Sequence, residues 1–327
     1  MGRSYMGSSE MTDSLWQPTA SLEALRRRAE LLTDIRRFFA ERKVLEVEVP
    51  LLSRRATSDP HIESITALCN GDPAYLATSP EFGLKRLLAA GLGDCYSLGK
   101  AFREGEAGGR HNPEFTMLEW YRRGWDDRRL MVEVGELLSR VLGIGQVQSM
   151  SYRELFLREL QLDPHSAPEE ALRHCTAREV ELSFAPQSRD ECLDLLMSHR
   201  LEAAMGDGIT LLYDFPASQA ALAKVVKDDS GTPVARRFEA YVGGMELANG
   251  YWELTDAGEQ LQRFETDQRY RGMHKLHVYP FEERLVDALR VGLPECAGVA
   301  LGIDRLLMLA GGYSTIDQVI AFPIERA

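Results

Sequence analysis

The sequence predicts an α+β fold: an antiparallel β-sheet flanked by helices, with a helical insertion. Three observations predict it. Strands adjacent in the chain are joined by turn signals, most clearly at Gly243-Gly244. Helical patterns come in blocks and do not alternate singly with strands. A run of helical segments at about 151–206 separates two strand-rich regions.

Ser21 is a good N-cap for a long helix in which Leu22, Leu25, Ala29, Leu32, Ile35 and Phe39 recur at helical spacing. Val44–Val49 alternates apolar and acidic residues as a strand does, and Pro50 ends it. Tyr75–Thr78 reads as a short strand entering a helix at Glu81–Ala90, with Pro80 suited to its first turn. Cys95–Phe102 and Glu114–Tyr121 read as strands around a glycine-rich loop. Arg128–Leu142 is amphipathic and stops at Gly143. From Ser151 to Met205 the pattern is mainly helical, with Pro164 and Pro168 between segments. Strand character returns at Thr210–Phe215 and Phe238–Leu254, and helices follow around Asp256–Met273 and Phe281–Leu289. The small-residue strand Gly298–Gly302 runs into a helix, Ile303–Ala310, closed by Gly311-Gly312.

The 327 residues are 44% hydrophobic and 27% charged, enough to bury a substantial core. The net charge of -12 argues against a broad nucleic-acid-binding face. Five scattered cysteines (Cys69, Cys95, Cys175, Cys192, Cys296) form no C-x-x-C pair, so reduced thiols in a cytoplasmic protein are expected. No apolar run is long enough to cross a bilayer, and the polar N-terminus has no signal-peptide core. Residues 1–18 are expected to be disordered or vector-derived, and 19–327 to form one domain.

Four clusters carry chemistry. In FREGEAGGRHNPEFTMLEWY (102–121) a strand-end arginine, Arg103, precedes a glycine-rich loop and the run His111-Asn112-Pro113-Glu114-Phe115. One fixed guanidinium suits a phosphate, and backbone with carboxylates suits a base. In RFEAYVGGMELANGYWE (237–253), a turn at Gly243-Gly244 pairs Tyr241 with Glu246 and Glu239 with Ala248. Glu239 and Glu246 then share a face, without a local basic partner, and suit a hard cation held with phosphate oxygens. Glu253 is out of phase with Glu246 unless a β-bulge at Asn249-Gly250 restores it, and that bulge is expected. In Gly298–Arg305, small residues let a ligand lie against the strand while Arg305 clamps phosphate from the next helix. In Thr78-Ser79-Pro80-Glu81, the carboxylate is either a helix-dipole partner or a receptor for an ammonium.

Together these clusters resemble the catalytic core of class II aminoacyl-tRNA synthetases, most closely the lysyl branch. The long helix with the strand ending at Pro50 looks like the first signature, a dimer element in that family, which implies a homodimer. Phe102-Arg103 with HNPEFTMLEWY looks like the second, and GVALGIDRL at 298–306 like the third. The anticodon-binding domain of the lysyl branch is expected to be absent ahead of this core. The segments FPASQAALA (215–223), ELANGYWELTDA (246–257) and CAGVALGIDRL (296–306) resemble the shortened paralogues that attach (R)-β-lysine to a lysine of elongation factor P. Ala300 stands where lysyl-tRNA synthetases have glycine. The family pattern Phe-Arg-x-Glu is broken: Gly105 takes the glutamate position, between Glu104 and Glu106.

The resemblance implies ATP and Mg²⁺, an aminoacyl-adenylate, elongation factor P as partner, and no stable tRNA binding. Arg103 is then the catalytic residue at the α-phosphate. Glu104, Gly105, Glu106 and Asn112 would contact ATP with it, as would Glu246, Leu247, Gly302 and Arg305. Glu239 and Glu246 would hold the metal. Glu81, Glu253 and Tyr121 would meet the substrate amino groups, with Ser79, Pro80, Asn249 and Ala300 completing the pocket. Two other readings stay open at this stage: a truncated lysyl-tRNA synthetase, and a non-catalytic paralogue that keeps the fold.

Overall fold

The computed structural model describes residues 15–327, so residues 1–14 of the segment 1–18 expected to be disordered or vector-derived lie outside the described residues. In chain order the elements begin with α1 (Leu22–Glu41), β1 (Leu45–Glu46), β2 (Leu52–Ser53), β3 (Thr66–Cys69) and β4 (Asp72–Leu76). They continue with α2 (Glu81–Ala89), β5 (Cys95–Phe102), β6 (Glu114–Arg123), α3 (Asp127–Leu142) and β7 (Val147–Ser151). A helical block follows: α4 (Tyr152–Leu160), α5 (Glu169–Glu179) and α6 (Arg189–Leu196), then single turns at Met197–Leu201 and Glu202–Met205. The chain ends with β8 (Ile209–Pro216), β9 (Val225–Lys227), β10 (Pro233–Val242), β11 (Met245–Trp252), α7 (Ala257–Met273), α8 (Glu283–Gly292), β12 (Cys296–Gly302) and α9 (Ile303–Gly311).

The main sheet runs β1-β5-β6-β12-β11-β10-β8-β7, with β9 on the edge of β10. Its centre is antiparallel throughout, as the hairpin signals predict. The two ends differ: β1 on β5 and β7 on β8 pair parallel. A second small sheet, β2-β4-β3, is built on the turn at Asn70-Gly71, which the sequence reading passed over. One face of the main sheet packs Leu118, Trp120, Phe238, Val299 and Leu301 against α1, α3 and α9. The helical block has its own core around Tyr152, Phe156, Leu172 and Leu193. Four of the five cysteines are buried thiols, and no described helix is long and apolar enough to cross a membrane.

Local chemistry explains most boundaries. Ser21 caps α1 by accepting from Ala24 N–H at 3.0 Å. Gly143 ends α3 in the left-handed region at φ 68°. Gly243 and Gly244, at φ 57° and 69°, make the tight turn between β10 and β11. The buried stripe of α1 is Ala24, Leu31, Ile35, Phe38 and Phe39, whereas Leu22 and Ala29 face outward. The expected strand at 44–49 shortens to Leu45–Glu46, because only that stretch pairs with β5.

The expected bulge at Asn249-Gly250 is corrected. Pairing is regular there, with Glu239 opposite Asn249 and Phe238 opposite Gly250. The irregularity lies earlier: Tyr241 pairs with Glu246 and Ala240 with Ala248, leaving Leu247 as the extra residue. Gly250 is glycine for packing. A Cβ there would meet the Phe238 ring at 2.5 Å and Val299 Cβ at 2.9 Å. Gly250→Ala should therefore lower stability by about 1–3 kcal/mol. A drop in the urea midpoint at unchanged slope checks this; an unchanged midpoint contradicts it.

Candidate active site

Sheet register assembles the site in two rows across four strands. Glu119, Ala300, Asn249 and Glu239 stand side by side, as do Tyr121, Gly298, Tyr251 and Arg237. They face away from the core and line a cavity of about 1300 Å³. The loop 50–64, α2, and the β5–β6 loop form other parts of its wall.

One end is acidic. Glu119 is buried on β6; its Oε2 accepts from Ser79 Oγ at 2.5 Å and its Oε1 from Tyr121 O–H at 2.8 Å. Burial, reinforced by the charge of Glu81, pushes its carboxyl up to about 8. Glu253 is fully buried, and neither of its carboxylate oxygens accepts an aligned hydrogen bond. Burial raises its carboxyl to about 7 against the pull of Lys85. The Lys85 ammonium lies 2.6 Å from Glu253 Oε2 as a charge contact and also donates to Glu81 Oε1 at 2.6 Å. Ser79 Oγ accepts from Glu81 N–H at 3.0 Å, which fixes the start of α2. A lining carboxylate without an aligned donor, as Glu253 is, suits a ligand that brings N–H groups.

The other end carries arginines. Arg103 stands just beyond β5, held through its own N–H to the Pro113 carbonyl at 2.9 Å. Its Nη1 lies 3.4 Å from Glu106 Oε1, and its buried Nε has no partner. Arg305, in the first turn of α9, donates to the Glu246 carbonyl at 3.0 Å and touches His111. Burial, and then the charges of Arg305 and Arg103, holds His111 below the usual imidazole range, so its neutral ring lies beside both cations. Between the ends sit Glu239 and Glu246. Glu246 is accessible from the cavity yet surrounded by protein, and burial followed by the charge of Glu239 raises its carboxyl to about 7.

The structure brings most expected site residues into this one cavity. Ser79, Pro80, Glu81, Tyr121, Asn249, Glu253 and Ala300 line it, as do Arg103, Glu106, Asn112, Leu247, Gly302 and Arg305. Glu239 and Glu246 line it between them. Glu104 and Gly105 do not: Glu104 is exposed outside the wall, and Gly105 turns the loop at φ 77°. Asn112 lines the cavity, but its amide is engaged by protein. It donates to the Glu114 carbonyl at 2.6 Å and accepts from Ile324 N–H at 3.0 Å, tying the loop to the C-terminus. The expectation that Glu239 lacks a basic neighbour is corrected, because Arg237 and Tyr241 both bond it.

Three residues escaped the sequence reading: Lys85, Glu119 and Arg237. Glu119 shares strand parity with Tyr121, so its signal was present, whereas Lys85, one helical turn from Glu81, shows in the sequence only as half of an (i, i+4) pair. Arg237 shares parity with Glu239 in the same way.

A sheet of this topology, with paired arginines and a carboxylate-lined pocket on one face, is the site of a class II synthetase. The family model described as tRNA synthetases class II (D, K and N) matches residues 14–326, and the chain belongs to that family. Within it, the chain is 49% identical over 322 residues to the elongation factor P–(R)-β-lysine ligase of Photorhabdus laumondii, covering 95% of this chain and 98% of that one. The ligase of the same name from Proteus mirabilis is 49% identical over 329 residues, with 98% and 100% covered. That from Yersinia enterocolitica is 48% identical over 322 residues, with 95% and 98% covered.

Glu119 also has a measurable consequence for the unliganded protein. Its carboxyl is raised from 4.5 to about 8 on folding, so the folded chain holds this proton more tightly than the unfolded one. The stability it contributes is complete below about pH 4.5 and is lost as pH rises through about 8. Glu119→Gln should flatten that part of the profile of Tm against pH; an unaltered slope contradicts the assignment.

Proposed function

We propose that the chain activates (R)-β-lysine with ATP and transfers it to a lysine ε-amine of elongation factor P. The observation that carries this reading is the single cavity with arginines at one end and Glu81, Glu119 and Glu253 at the other. A diamino acid brings two ammonium groups and one carboxylate, and that charge pattern matches the wall. The near full-length likeness to ligases of that name supports the same substrates.

On this reading a carboxylate oxygen of β-lysine attacks the α-phosphorus of ATP. The bond to pyrophosphate breaks, and a mixed anhydride with AMP forms. Arg103 lies over the transferring phosphoryl group and stabilises its developing charge; Arg305 holds the far end of the triphosphate. The acceptor amine, arriving unprotonated, attacks the carbonyl carbon; AMP leaves with the bonding electrons and the amine loses its proton. Glu81, Glu119 and Glu253 orient the ammonium groups, with Tyr121 held against Glu119. Ala300 stands opposite both Glu119 and Asn249, so its methyl narrows the floor of the pocket.

The residues present fit Mg²⁺. Among the described residues no cluster of three metal-ligating side chains occurs, but Mg²⁺ characteristically takes one or two carboxylates and completes its shell with phosphate oxygens and water. Glu239 and Glu246 would hold it, and the ion would neutralise triphosphate charge. The same reading includes a homodimer assembled through the edge formed by α1 and β1, where Leu22 and Leu45 are exposed, and no stable tRNA complex.

The test is ATP–pyrophosphate exchange with (R)-β-lysine and with α-lysine, followed by transfer to elongation factor P. Exchange preferring (R)-β-lysine and mass addition to elongation factor P are expected. Efficient aminoacylation of tRNA with α-lysine would instead favour a truncated synthetase. Arg103→Ala should reduce exchange at least about a hundredfold. Sedimentation should give twice the 36.7 kDa chain mass, and a monomer at micromolar concentration would remove the dimer from the reading.

A further inference from the structure

Lys85 is a charged residue at the site to which the proposed reaction gives no role. Its side chain is 1% exposed, and its Nζ lies 2.6 Å from carboxylate oxygens of both Glu81 and Glu253. Glu81 and Glu253 line the cavity, whereas Lys85 lies behind them. The arrangement is stiff. Lys85 and Glu81 stand one turn apart on α2, and Glu253 is fixed through its N–H to the Cys296 carbonyl at 3.0 Å.

Charge decides what such a buried lysine does. From α2 comes Glu81, from β6 Glu119 and Tyr121, from the end of β11 Glu253, and from β12 Cys296. Burial, and then neighbouring carboxylates, holds the Tyr121 hydroxyl and the Cys296 thiol far above their ordinary ranges, so both are neutral. With all three carboxylates ionised, the state that an incoming dication favours, they leave against one ammonium a formal charge of about −2, the complement of a substrate with two ammonium groups.

We infer that Lys85 is a positioning and specificity-determining residue, which sets the charge of the pocket to match a diammonium substrate and holds Glu81 and Glu253 facing the cavity. This rests on the proposed β-lysine reading and deepens it. Without Lys85 the three carboxylates repel one another in a desolvated corner, and a proton replaces the missing cation. A protonated carboxyl receives an ammonium poorly, so substrate must then displace that proton. Burial opposes charge on Lys85, but Glu253 and Glu81 outweigh it and keep the ammonium well above its ordinary range.

The experiment compares wild type, Lys85→Met and Lys85→Arg in ATP–pyrophosphate exchange with (R)-β-lysine, from about pH 6.5 to 8.5. Lys85→Met should raise KM at least about tenfold, with a smaller change in kcat. Its KM relative to wild type should grow as pH falls, because protons then compete harder for the carboxylates. Lys85→Arg keeps the charge, so its ratio to wild type should stay level with pH whatever packing costs. Equal, pH-independent ratios for the two variants overturn the role of Lys85 while leaving the proposed function standing. Failure of the wild type to exchange with (R)-β-lysine counts against the proposed function itself. If Lys85→Met does not fold, the wild type still decides: its Lys85 side-chain nitrogen, followed by ¹⁵N NMR, should remain protonated through about pH 10, and titration below about pH 9 overturns the inference.

Discussion

One extra residue in a strand organises this site. Leu247 bulges from β11 opposite Ala240 and Tyr241, and the phase of everything after it shifts by one. Before the bulge Glu246 points into the cavity; after it Asn249, Tyr251 and Glu253 do. Ala248 and Gly250 are turned instead toward Phe238 and the core. In an unbroken strand, Glu246 and Glu253 would lie on opposite faces of the sheet, and the phosphate end of the cavity could not share a wall with the acidic end.

The sheet also solves an electrostatic problem. Carboxylates are costly to bury, and those here are kept near the cavity by partners that compensate only part of their charge. Glu119 receives two hydroxyl donors, Glu253 a misaligned ammonium, and Glu239 an arginine and a tyrosine. The carboxyls of Glu119, Glu246 and Glu253 sit at about 7 to 8, and their ionised forms are stabilised further by an incoming cation. Such a set is a receptor in waiting. A purely structural ion-pair cluster would be neutralised by its own members, as at Arg122, which is buried against Asp94 and Glu133.

Much of this was legible in the sequence because strand parity and turn chemistry are local. Arg103 at a strand end, Glu246 before a predicted phase shift, and Arg305 in a first helical turn can all be read from spacing. The location of the bulge could not. Asn249-Gly250 carries the composition of an irregular stretch, yet Gly250 is small because the Phe238 ring presses on it from the neighbouring strand, a contact between distant residues. Lys85 was hidden for a similar reason: on its own helix it looks like the exposed partner of an (i, i+4) pair, and only the arrival of Glu253 makes it a buried counter-ion. The parallel pairing at both sheet ends likewise depends on which distant strand arrives beside β5 or β8.

The balance of charge bears on the order of events in the proposed reaction. An acceptor amine attacks only when unprotonated, and a wall of ionised carboxylates favours its protonated form. An empty acidic corner would therefore bind an incoming lysine as a cation and hold it unreactive. Once two substrate ammonium groups occupy the corner, its formal charge of about −2 is cancelled and that bias disappears. The acceptor then meets a neutral wall beside the activated carbonyl. The same carboxylates that select the amino acid thus stop holding the acceptor amine as a cation once the amino acid occupies them.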